Sequence, residues 1–367
     1  MIAPMIEIES LEEFDRAASR ARDSTRSMSG WQVQDLDLTG REDVLTDLDP
    51  RGSLFLGCTI GERVADRLRG GGALMFPAVP DVPFDPWRAG LYTPAELYDG
   101  LENGYDLTTD ARIYAWSRRS SRGHDLRRLL AASLHDRSID DALDEFHHGR
   151  RVVGVMGGHA LTREDPAYAA AAHVAHDLAE SGLTVATGGG PGAMEAANLG
   201  ARLAGEDLAV LHQVLGDLER VPSFSPDITA WAQGALAAVD GLTDSGRSLG
   251  IPTWHYGHEP PNAFASAIAK YFRNAIREDV LLEVCRGGIV FLPGAAGTVQ
   301  EIFQAACTNY YAAEDEVAPL VFVGEEYWTR TLPAWPLVDV LAVGRAFASR
   351  AHLVDDLPDA LALLVEE

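Results

Sequence analysis

Two stretches of this sequence join glycine-rich turns to helix starts. Gly188-Gly189-Gly190-Pro191-Gly192-Ala193-Met194-Glu195 follows the apolar run Leu183-Thr184-Val185-Ala186. Pro293-Gly294-Ala295-Ala296-Gly297-Thr298-Val299-Gln300-Glu301 follows Gly288-Ile289-Val290-Phe291-Leu292. A buried strand, a glycine turn and a helix start leave free backbone N–H groups at the positive end of a helix, which suits a phosphate. The candidate phosphate or nucleotide contacts are Gly189, Gly190, Gly192 and Met194 in the first turn, and Gly294, Ala295, Ala296, Gly297 and Thr298 in the second. Glu195 either touches a ribose hydroxyl or favours the helix N-terminus beside it. Glu301 stands one helical turn after Thr298 and can project into the same pocket, although Thr298-x-x-Glu301 also fits a helix capping box. Gly158 and His159 end another apolar run, Val152 to Met156, near the same crevice. Trp254-His255-Tyr256-Gly257-His258-Glu259 ends a further strand on that side, either to stack on a base or as a plain aromatic loop.

Several nucleotide chemistries fail on residue grounds. A Walker A loop needs Gly-Lys-Ser/Thr, and the only lysine of the chain, Lys270, stands elsewhere. The first strand ends in Gly157-Gly158-His159, without the third glycine of a dinucleotide fingerprint. A pyridoxal-phosphate enzyme needs a Schiff-base lysine, and Lys270 is expected inside a helix. No set of His, Cys and acids has metal-ligand spacing, and the neighbours His147 and His148 do not share a helix face. Neither a metal nor a resident cofactor is expected.

The elements that must hold these turns alternate strand and helix from a boundary near Gly149-Arg150. Residues 151–330 read as a doubly wound, mainly parallel Rossmann-like α/β sheet, with ligands at the carboxyl ends of the strands. Asp165 caps a helix with Pro166 at its first position. Residues 206–247 read as an insertion with helices at 207–218 and 228–239. The sheet resumes at 248–254. A helix starting at Pro260-Pro261-Asn262 carries Phe264, Ile268, Tyr271 and Ile276, and a further helix covers 278–285. After strand 288–292, a helix is expected over 299–311 and a last strand over 320–324, with a helical C-terminal extension over 331–367. Residues 1–150 form an additional N-terminal α/β region. It has a helix at 11–22, strands at 53–58 and 73–76 around a helix at 61–69, and no clear structure over 31–48. Gly70-Gly71-Gly72 precede a strand and read as a helix stop. Five prolines with Phe84, Trp87 and Tyr92 mark an ordered loop at 77–95. Helices follow at 94–103, 121–134 and 139–148.

A chain of 367 residues suggests about two domains. Its net charge of −25 argues against nucleic acid and anionic membranes as partners. Cys58, Cys285 and Cys307 form no C-x-x-C pair and read as reduced thiols. No apolar run reaches membrane-spanning length, and the acidic N-terminus lacks the basic region of a signal peptide. A cytoplasmic location is expected.

The two glycine turns resemble the motifs G-G-G-x-x-G-x-M and P-G-G-x-G-T-x-x-E of the Lonely Guy family, historically labelled lysine decarboxylases. The likeness covers roughly residues 150–325. The first motif has its later glycine displaced by one position. The resemblance implies a Rossmann-like homodimer that hydrolyses the N-glycosidic bond of a nucleoside 5′-monophosphate to free base and ribose 5-phosphate. The substrate would be AMP-like or a cytokinin riboside monophosphate. It implies Glu301 as the catalytic acid residue, since breaking a C1′–N bond builds an oxocarbenium-like sugar that a carboxylate stabilises or supplies with activated water. It also implies an arginine on the helix before the second turn. Arg277 is the best match, and Arg273 lies one turn earlier. Larger bacterial nucleotide nucleosidases carry an extra N-terminal region, as here. Ala295 replaces the family's second glycine, and would cost about 1 kcal/mol or more if that position needs a positive φ. The alternative on the same fold is a non-catalytic nucleotide or molybdenum-cofactor carrier.

Overall fold

The computed structural model describes residues 6–119, 126–242, 246–255 and 259–365. The chain divides into two compact units, one formed by residues 1–91 with 119–143 and the other by residues 92–118 with 144–367.

The first unit is a four-stranded parallel sheet in the order β1-β2-β3-β4, made of β1 (Ile6–Ile8), β2 (Trp31–Gln34), β3 (Leu54–Leu56) and β4 (Leu74–Phe76). Its helices are α1 (Leu11–Asp23), α2 (Glu42–Asp47) and α3 (Glu62–Gly70). Ser10 and Glu13 close a reciprocal capping box on α1, which fixes where that helix starts. Gly71 caps α3, so the glycine triplet does stop a helix. The core gathers Phe14, Trp31, Val33, Leu45, Phe55 and Leu68.

Helices α4 (Pro94–Leu97) and α5 (Thr109–Arg119) open the second unit, and most of α6 (Leu126–His147), up to Leu143, belongs to the first. The two helices expected over 121–134 and 139–148 are one from Leu126, because no glycine or proline interrupts that stretch; positions 121–125 lie outside the described residues. The main sheet is built from β5 (Val152–Met156), β6 (Thr184–Thr187), β7 (Ser248–Gly250), β8 (Ala267–Ile268), β9 (Ile289–Phe291), β10 (Leu320–Val323) and β11 (Ala351–Val354). Its order is β11-β10-β9-β5-β6-β7-β8, with every pair parallel. The strand order reverses at β5, so the chain is a doubly wound Rossmann-like fold with its switch point between β5 and β9. All residues of β5, β6 and β9 are buried, as parallel strands covered on both faces require.

The connecting helices are α7 (Pro166–Glu180), α8 (Ala193–Arg202), α9 (Leu208–Leu218), α10 (Ile228–Ala238), α11 (Asn274–Val284), α12 (Ala296–Tyr311), α13 (Trp335–Ala342) and α14 (Leu357–Val365). Asp165, Asp207 and Asp227 accept backbone N–H bonds at the starts of α7, α9 and α10. Helices α7 and α8 approach closely: a Cβ on Gly200 would stand 1.8 Å from the carbonyl oxygen of Ala172.

Two expectations are corrected. Residues 260–273 hold no helix. They run extended and include β8, which pairs with β7 and, through Ile268, with Tyr92. The 320–324 strand is not the last, since β11 adds an edge strand beside β10. Lys270 follows β8 and is not helical.

Candidate functional site

Both glycine turns meet at Gly158. Its N–H donates to the Pro293 carbonyl at 3.1 Å, and its own carbonyl accepts from Ala193 N–H at 3.2 Å. One residue at the end of β5 therefore ties the second turn to the start of α8. The approach leaves no room for side chains: a Cβ on Gly192 would stand 2.5 Å from Gly158 O. Gly192 also has φ +74°, and Gly189 has φ +71°, both in the region glycine favours.

A buried polar network holds the first turn. Thr187 Oγ1 accepts from Gly189 N–H at 2.9 Å and donates to Asn198 Oδ1 at 2.7 Å. Asn262 Nδ2 donates to Gly190 O at 3.1 Å and to Asn198 Oδ1 at 2.9 Å. Asn262 Oδ1 in turn accepts from the N–H groups of Phe264 and Ala265. A satisfied buried network of this kind holds one loop conformation. Sequence reasoning missed Asn198 and Asn262, because their partners lie up to 72 positions away. Met194 packs its thioether against Gly188 and Gly190.

The second turn opens α12. The helix begins at Ala296 with Ala295 as its N-cap, and no side chain caps it. The capping-box reading of Thr298 and Glu301 is thus wrong: Thr298 is the third residue inside the helix. Ala295 has φ −115°, so alanine carries no left-handed backbone penalty there, and it offers no argument for a non-catalytic pocket. Gly294 and Thr298 are buried, whereas Ala295, Ala296 and Gly297 are exposed. Gly294 O accepts from the Tyr327 hydroxyl. Uncapped N–H groups at the first turn of a 16-residue helix form a positive, donor-rich surface.

Glu301 faces Arg277. Arg277 Nη1 lies 3.8 Å from Glu301 Oε1 and 3.2 Å from Glu278 Oε2. It also borders the first turn, since a Cβ on Gly188 would stand 3.7 Å from it. All three side chains are about nine-tenths buried or more. One guanidinium thus serves two carboxylates. Burial, with Glu278 adding to it, pushes the Glu301 carboxyl up to about 8, against the opposing pull of Arg277. Arg277 Nε makes no hydrogen bond among the described residues. Cys285 Sγ donates to Leu281 O at 3.0 Å, and its thiol is pushed up by burial and then by Glu301.

The remaining candidates are dispersed. Arg273 is exposed at the N-cap of α11, one turn before Arg277. Glu195 does not face the crevice. Its Oε1 accepts from Arg163 Nε at 3.1 Å and Nη2 at 2.5 Å, and the guanidinium stacks on Trp231. Helix α8 directs the third residue of its first turn into the core, where Arg163 takes up the Glu195 carboxylate. His159 Nδ1 lies 3.5 Å from Glu259 Oε1, and Glu259 also borders Gly190. Trp254 Nε1 donates to Asp110 at 2.8 Å and its ring packs on Phe272; Tyr256, Gly257 and His258 lie outside the described residues. Among the described residues no cluster of three or more His, Cys, Asp or Glu could hold a metal. No helix of the described residues is long and apolar enough to cross a membrane.

Lys270, needed for any pyridoxal chemistry, is sealed in the interior, where its Nζ lies 2.6 Å from Asp110. Fold and site together define a Rossmann-like domain with paired glycine turns at its switch point. Comparison with known families agrees. Residues 230–364 match the family described as "Possible lysine decarboxylase", and residues 150–209 match the SLOG cluster4 family. The match over residues 230–364 is thus to a Lonely Guy-like family model, the family that the two glycine turns resemble. The match supports a nucleotide-related role. Among solved structures, the molybdenum cofactor binding protein of Rippkaea orientalis is 15% identical, with a TM-score of 0.37; the alignment covers 59% of this chain and 96% of that one. The molybdenum cofactor carrier protein of Chlamydomonas reinhardtii is 16% identical, with a TM-score of 0.37, covering 59% and 97%. No curated protein matches the chain.

Proposed function

We propose that the second unit binds a nucleoside 5′-monophosphate and hydrolyses its N-glycosidic bond. The observation that carries this reading is the buried Glu301–Arg277 pair beside two glycine turns joined at Gly158. The 5′-phosphate sits on the uncapped start of α12, at the N–H groups of Ala296, Gly297 and Thr298, and against the turn of Gly189, Gly190 and Gly192. Glu301 holds its proton at neutral pH, which suits a general acid toward the leaving base. The C1′–N bond breaks, and the base nitrogen takes the Glu301 proton. Water then adds to C1′, and its proton returns to the Glu301 carboxylate. Arg277 stabilises that carboxylate while it is charged. The products are free base and ribose 5-phosphate.

The test is incubation with a panel of nucleoside 5′-monophosphates, cytokinin riboside monophosphates included, with chromatography of the free base. Release by the wild-type chain and its loss in Glu301→Gln are expected. Absence of release from every member of the panel, or full turnover by Glu301→Gln, refutes the reading.

A further inference from the structure

Arg277 faces two acids, and it does not serve them equally. Its Nη1 donates to Glu278 Oε2 at 3.2 Å, whereas Glu301 Oε1 stands 3.8 Å away, beyond hydrogen-bond range. Glu278 also holds a second donor. Its Oε1 accepts from Asn274 Nδ2 at 3.3 Å, one turn earlier on α11. Both oxygens of Glu278 are therefore bonded, while Glu301 meets the guanidinium only as a longer ion pair.

One buried cation cannot balance two buried carboxylates, so one acid of the three-residue group keeps a proton. The contacts decide which, because hydrogen bonds from donors favour the charged form of a carboxyl. The other groups around Glu301 do not reverse that choice. Cys285, at the end of α11, brings a thiol. Gly188 of the first turn brings no charge. Asp279 is exposed and accepts from Gln304 of α12. Arg273 is exposed one turn before Arg277, and Glu259 borders Gly190 rather than Gly188.

We propose that Glu278 is a positioning residue that makes Glu301 the acid of this site, by drawing the guanidinium and the Asn274 amide onto its own carboxylate. The role builds on the hydrolysis proposed above, and Glu278 acts through Arg277 and Glu301 rather than on the substrate. Once Glu301 has passed its proton to the leaving base, its carboxylate stands beside that of Glu278. The repulsion draws the proton of the attacking water back onto Glu301 and resets the acid. Without Glu278 the guanidinium is free to close on Glu301 and hold it ionised, which turns an acid into a base.

Glu278→Gln keeps the shape of the side chain and removes its charge. A general acid loses activity on the alkaline side as it ionises. The alkaline limb of kcat/KM for AMP should therefore move to lower pH in this variant, by about 1–3 pH units. Glu278→Asp, the variant to use if glutamine prevents folding, sets its carboxylate one methylene back from the guanidinium and should move the limb the same way by less. Melting needs no substrate. Glu301→Gln should gain heat resistance over its parent at alkaline pH, and the gain should be smaller, levelling off about 1–3 pH units earlier, when both chains carry Glu278→Gln. An unmoved alkaline limb in a folded variant, or an equal gain in both backgrounds, would overturn the proposal. A smaller gain in a chain that turns over no nucleotide would leave the role of Glu278 standing and sink the hydrolytic reading instead.

Discussion

Replacing Glu301 by glutamine tests the electrostatics of the site separately from its chemistry. The glutamine has the shape of the protonated acid and cannot ionise. In the folded chain the Glu301 carboxyl titrates near 8, against 4.5 for an ordinary glutamate. The folded state therefore holds a proton that the unfolded state has lost throughout that window, so stability falls as pH rises through it. Each pH unit costs the wild type about 1.4 kcal/mol, an upper bound near 5 kcal/mol across the window. Glutamine is free of this cost. At about pH 5 the two proteins should melt together, and by about pH 9 Glu301→Gln should be more stable by up to about 5 kcal/mol. For a unit of this size that is about 10 °C or more in melting temperature. Thermal denaturation of both proteins across this range, with turnover measured on the same samples, is the assay. The variant should be inactive yet more heat-resistant at alkaline pH. A stability difference that does not change with pH would falsify the burial argument, because the Arg277 pairing would then cancel desolvation, and one that changes in the opposite sense would mean that the pairing outweighs it.

Other perturbations follow from the same geometry. Arg277→Ala leaves Glu278 and Glu301 buried without their cation, and should cost about 3–5 kcal/mol in denaturant unfolding. Asn262→Ala strips partners from Gly190 O, Asn198 and two backbone N–H groups; a loss of about 2–3 kcal/mol, with faster hydrogen exchange at the first turn, is expected. Gly192→Ala combines a positive φ with a Cβ that would stand 2.5 Å from a carbonyl oxygen, so it should weaken nucleotide-induced thermal stabilisation even where the chain still folds. Lys270→Met strands Asp110 in the interior and should cost about 3–5 kcal/mol, whereas a paired change of both residues to apolar ones should recover most of it.

What could be read directly from the residue order was local. The glycine turns, the apolar strands before them and the aspartate cap at Asp165 each announce themselves within a few positions. These signals pointed to the Rossmann-like fold and to the family resemblance, and that resemblance made Glu301 and Arg277 the candidate catalytic pair. The extended segment 260–273 was misread because Phe264, Ile268 and Tyr271 happen to fall at helical spacing. Nearly every residue from 260 to 271 is buried, and the choice of strand was made by pairing with β7 and Tyr92, partners the local pattern cannot reveal. Edge strand β11 was missed for the same reason.

The sequence alone therefore settled which groups were available, and the tertiary structure decided what each one does. Glu195 looked like a ribose contact until packing against Arg163 and Trp231 claimed it. Thr298 and Glu301 looked like a cap until the helix began at Ala296. The raised affinity of Glu301 for its proton exists only because folding withdraws water from it and leaves one guanidinium between two carboxylates. Propensity acts over a few residues, but desolvation and charge pairing depend on neighbours that only the folded chain brings within a few ångströms.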